Sequence, residues 1–176
     1  MPTLLKVTNL VLAVALLGAA SPSVAGLDAV ARAAGNDKPT AVQIGERLFT
    51  RKWPAQVLKV HVDRAGAHRV AGLTLSGVKF HQPLTRSQFG DEVVALVEAS
   101  FAAAPVEEVD VWCVVPLSVG RGVVVSGDHA MPTQRIVFTV SVVRRETAGA
   151  LKARITTGKN VYWDSTWARQ ALTSKR

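Results

Sequence analysis

Cys113 is the single cysteine of the chain, in the stretch VEEVDVWCVVPL at residues 106–117. A catalytic thiol needs a lowered pKa and a base beside it, and it usually sits at a helix start or in a loop. Val109, Val111, Cys113 and Val115 alternate with Asp110, Trp112 and Val114, so the thiol shares the aliphatic face of a strand. That spacing predicts a packed, inert cysteine acting as a small hydrophobe.

His61 and Asp63 stand two apart, on the polar face of a second alternating run, QVLKVHVD. A hairpin could bring His81 to them, giving two nitrogens and one carboxylate for a metal. His61, Asp63 and His81 are therefore the candidate metal set, but their spacing matches no ligand signature. No metal and no cofactor is expected.

Other fragments fall short of known sites. Ser76 to Lys79 has serine–lysine spacing but lacks companion motifs and lies in a strand pattern. Gly158-Lys159 lacks the upstream glycine and following hydroxyl residue of a phosphate loop. Glu107, Glu108 and Asp110 read as a solvated strand start.

The basic residues offer binding rather than bond-making. Arg121, Arg135, Arg144 and Arg145 are the ligand-binding candidates, with Lys152, Arg154 and Lys159 nearby in sequence. Arg121 and Arg135 flank one end of the last strand pair, and Arg144 and Arg145 the other. A cationic surface suits an acidic partner. The chain lacks basic residues interleaved with the aromatics that stack bases, which argues against nucleic acid.

The elements that position these residues follow from periodicity. QVLKVHVD puts Leu58, Val60 and Val62 on one side, and RVAGLTLSGVKFH continues as a second strand after the turn RAGAH. Thr85 with Gln88 three residues on is a capping box, and Leu84 with Phe89 fits a hydrophobic staple. Phe89, Val93, Leu96, Val97 and Phe101 then make a helical stripe that Pro105 ends. The Cys113 strand follows. Residues 118–134 form a long Gly-rich connection, with Val123 to Val125 as a short extra strand. RIVFTVSVVRR is the fourth main strand, and Asp164 or Ser165 caps a short final helix. Residues 41–54 carry only a weak helical stripe ending at Pro54.

The ends bound the setting. Lys6, the apolar run from Leu10 to Ala20, and Ser23 and Ala25 have the layout of a secretory signal peptide over residues 1–25. The run is too short for the roughly 20 residues of a membrane span, and no later stretch is long and apolar enough. Residues 26–40 are small and polar and read as a flexible linker. Residues 41–176 then form one domain, large enough to bury a core without disulfides. Net charge is +8, less the one charge of Lys6 when the leader goes, +7.

Together these readings predict an α+β domain. Its antiparallel sheet has about four strands in the order β-β-α-β-β, with one amphipathic helix on one face and a short C-terminal helix. The functional expectation is an exported, periplasmic or secreted, non-enzymatic binding or scaffolding domain of a bacterial cell envelope. Its surfaces would be the Gly-rich loop and the polar sheet face. Its partner would be another envelope protein or an anionic surface or glycan. The alternative is an exported hydrolase using the His/Asp set or a Cys113–His pair.

Overall fold

The computed structural model of the chain describes residues 24–117 and 134–173. Residues 1–23, which hold most of the expected leader, Arg121 and the Val123–Val125 strand expectation lie outside the described residues. In chain order the elements are helix α1 (Val24–Arg32), strand β1 (Ala33–Ala34), α2 (Lys38–Leu48), β2 (Ala55–Ala65) and β3 (His68–Phe80). They continue with α3 (Arg86–Ala103), β4 (Glu108–Pro116), β5 (Gln134–Val143), α4 (Ala148–Thr157), β6 (Tyr162–Trp163) and α5 (Ser165–Ala171).

The six strands form one sheet in sequence order, β1 to β6. The pairs β2–β3, β4–β5 and β5–β6 are antiparallel, whereas β1–β2 and β3–β4 are parallel. The expected four-strand antiparallel sheet with one helix and a short C-terminal helix is therefore wrong. The sheet is mixed, with five helices among the described residues. The cause lies in α3. A helix of 18 residues spans about 27 Å, so it carries the chain back along the sheet before β4 begins. β4 then starts beside the beginning of β3, with Val70 opposite Glu108. A crossover of this length produces parallel neighbours, where a tight turn would give antiparallel ones.

α3 forms as its sequence dictates. The Thr85 hydroxyl accepts the Gln88 N–H at 3.2 Å, and the Gln88 side chain accepts the Thr85 N–H at 2.8 Å. Phe89, Val93, Leu96 and Val97 of α3 are buried in the core. They share it with Val60 and Val62 of β2, Leu73 and Leu75 of β3, Val109, Val111 and Cys113 of β4, and Phe138, Val140 and Val142 of β5. Phe89 and Phe138 meet edge to face, with centroids 5.1 Å apart. In β2 the ladder shifts between Val57 and Lys59. Val57 rather than Leu58 thus joins Val60 and Val62 in the core.

The opposite face of the sheet carries polar and small residues together with Trp112. His61, Gly72, Asp110 and Ser141 form one cross-strand row, and Lys59, Thr74, Trp112 and Thr139 the next. The Trp112 ring lies over Gly72, where a Cβ would collide with it.

Residues 26–40, read as a linker, carry α1 from Gly26 onward, β1 and the first turn of α2. They strap the outer edge of β2. β1 pairs with Val60 and His61. The Asp37 N–H donates to Val62 O at 3.0 Å, and Asn36 and Arg64 exchange two bonds at 3.1 and 2.7 Å. Gly35 makes the strap possible. Its φ is +95°, and a Cβ there would collide with Val62 O.

Candidate functional site: a basic basin beside β2

The strap leads α1 to one side of a concavity of about 330 Å³. α1 supplies Asp28 and Arg32, four apart and hence on one helix face, with Arg32 Nη2 3.7 Å from Asp28 Oδ2. The α2–β2 connection supplies Phe49, Thr50, Arg51, Lys52 and Trp53. β2 supplies Gln56, and His81 closes the rim just beyond β3.

The walls are fixed by hydrogen bonds. The Trp53 indole N–H donates to Leu48 O at 2.6 Å, satisfying a carbonyl at the α2 C-terminus. Arg51 stacks on that indole, its guanidinium carbon 3.6 Å from the ring centroid. Arg32 donates to Val57 O at 2.7 Å and lies 4.8 Å over the Phe49 ring. The His81 backbone N–H donates to Pro54 O at 2.8 Å. Arg51, Lys52 and His81 are exposed. Arg51 and Lys52 have no carboxylate partner among the described residues.

Behind the basin lies Glu92 of α3, 8% exposed. Burial pushes its carboxyl up to about 7, against the opposing pull of the Ala55 N–H and the Arg51 charge. Its Oε1 has no hydrogen-bond partner among the described residues.

The other candidates are placed elsewhere. Cys113 is fully buried, and burial pushes its thiol up to about 12. That is the reverse of what a nucleophile needs. His61 Nε2 meets Asp63 Oδ2 at 2.6 Å, and this bond is the main cause that lowers the Asp63 pKa. His81 does not join them. It follows Phe80, which pairs with Ala55, whereas His61 pairs with Gly72. That separation is roughly 20 Å along β2. Among the described residues no group of three or more His, Cys, Asp or Glu could hold a metal ion.

The four arginines also stand apart. Arg135 pairs with Asp164, which caps α5. Arg144 donates to the carbonyls of Val106, Phe101 and Ala104 at 2.7, 3.1 and 2.5 Å, closing the C-terminal end of α3. Arg145 is exposed in the turn after β5, and Arg121 lies outside the described residues. Of the further basic residues, Lys152 pairs with Asp91 and Arg154 with Glu146, both at 2.6 Å. The Ser76 hydroxyl accepts the Lys79 N–H at 3.0 Å, a local turn. Gly158 is the left-handed cap of α4.

The basin was missed in the sequence because its residues come from separate segments. Its one local signal is the run FTRKWP at residues 49–54, where two cations abut a tryptophan before a proline. Among the described residues no helix is long and apolar enough to cross a membrane. Comparison with family models, with curated proteins and with solved structures finds no match.

Proposed function

We propose that this chain is an exported, non-catalytic binding domain of a bacterial cell envelope, holding an anionic group of its partner in the basin beside β2. The observation that carries the reading is the convergence of Arg51, Lys52, Arg32 and His81 on one concavity, where only Arg32 has a carboxylate partner among the described residues. Cations clustered in a low-dielectric recess raise the local concentration of anions more than the same charges on a convex surface. Export is proposed from residues 1–25 alone, on their leader-like layout.

The test is retention of the full chain on immobilised heparin, a sulfated glycan, across a salt series. Retention should fall steeply with salt and drop in Arg51→Glu and Lys52→Glu. Retention indifferent to salt, or unchanged in both variants, overturns the basin as the binding site.

A further inference from the structure

We propose that the basin takes a phosphate monoester dianion, an inference that rests on the anion-binding reading above. The charges decide the class. Arg32 already faces Asp28 at 3.7 Å and donates to Val57 O, so it serves as wall. Asp28 is the only carboxylate lining the concavity among the described residues. Arg51 and Lys52 make no ion pair among the described residues, so while Glu92 behind Arg51 is protonated they present two uncompensated positive charges. A phosphate monoester carries about −1.5 to −2 at neutral pH and matches them. A carboxylate or phosphodiester carries a single charge and leaves one cation unanswered.

The geometry agrees with the charge. Arg51 lies on the Trp53 ring at 3.6 Å, which holds its guanidinium against the indole. A planar fork suits two oxygens of a tetrahedral phosphoryl group. Lys52 adds a mobile point charge, and the exposed His81 adds a third donor at the rim. Asp28 and Thr50 line the remaining space. They offer hydrogen bonds to the body that carries the phosphate.

Calorimetric titration of the full chain with glycerol 3-phosphate and with dimethyl phosphate tests this. Vesicles carrying phosphatidic acid or phosphatidylglycerol repeat the monoester–diester contrast on a lipid surface. The expected result is at least tenfold tighter binding of the monoester, lost at least tenfold in Arg51→Ala and Lys52→Ala. Both side chains are exposed, and melting curves check that the variants fold. Binding of soluble glycerol 3-phosphate assigns a small phosphate ester. Binding only to phosphatidic acid vesicles assigns a lipid head group. Equal binding of monoester and diester, or none of either, overturns the dianion while heparin retention still depends on Arg51. If heparin retention ignores Arg51 and Lys52, the basin reading fails as well.

Discussion

Ala55 stands between the basin and Glu92: it lines the concavity, and its backbone N–H pulls the Glu92 pKa down against the rise that burial causes. The buried acid is thereby tied to the same wall as Arg51 and Trp53. Burial raises its pKa from an ordinary 4.5 to about 7. The unfolded chain therefore releases this proton before the folded chain does. Stability from this group is fully present below pH 4.5 and is lost as pH rises through 7. Glu92→Gln removes that loss. Its melting temperature relative to the parent should climb between pH 4.5 and 8, and parallel melting curves would sink the assignment.

The same acid should set the upper pH of anion binding. Above pH 7 an ionised Glu92 offsets the charge of Arg51 and repels the ligand. Sulfate is the suitable probe because its own charge is constant over this range. Its affinity for the parent should fall several-fold from pH 6 to pH 8, and Glu92→Gln should remove much of that fall. A decline that persists undiminished in Glu92→Gln would overturn the assignment.

Gly72 and Trp112 form a steric pair on the open sheet face. Gly72→Ala forces a methyl group into the indole and should destabilise by about 1–3 kcal/mol. In a Trp112→Ala background the same change should cost much less, which urea denaturation of the four-member cycle measures. Additive effects would mean that the ring does not rest on Gly72.

Cys113→Ser places a hydroxyl where the thiol is fully buried among core valines and should destabilise by about 1–3 kcal/mol. The parent thiol should react with a disulfide reagent only after denaturation. Rapid reaction in the folded state would contradict its burial.

Arg144 satisfies three carbonyls at the end of α3. Arg144→Met should lower stability by about 1–3 kcal/mol and leave heparin retention close to that of the parent. A large loss of retention with an unchanged melting temperature would make Arg144 a ligand residue.

What could be read from the sequence was local. The Thr85–Gln88 box and the Phe89–Phe101 stripe lie within one helix, and the alternation around Cys113 lies within one strand. Each was legible from neighbours in the chain. The bulge near Leu58 was not, because QVLKVHVD alternates without a visible break and only the ladder with β3 reveals the shift. The parallel β3–β4 pairing depends on where α3 delivers the chain, which periodicity does not encode. α4 was missed because its buried stripe is only Leu151 and Ile155 behind Gly149. The basin spans Asp28 to His81, so no window of sequence contains it.

The strap along β2 also has a bearing on solubility. From Val57 to Arg64 the outer rim of that strand is occupied by Arg32, β1, Asn36 and Asp37. A foreign strand seeking to extend the sheet there would first have to peel the strap away. Peeling would release Arg32 from Val57, so cross-molecular strand addition at this rim and an intact ligand recess exclude one another. If the basin binds an anion as proposed, one that binds only the intact recess would also guard the molecule against aggregating through this edge.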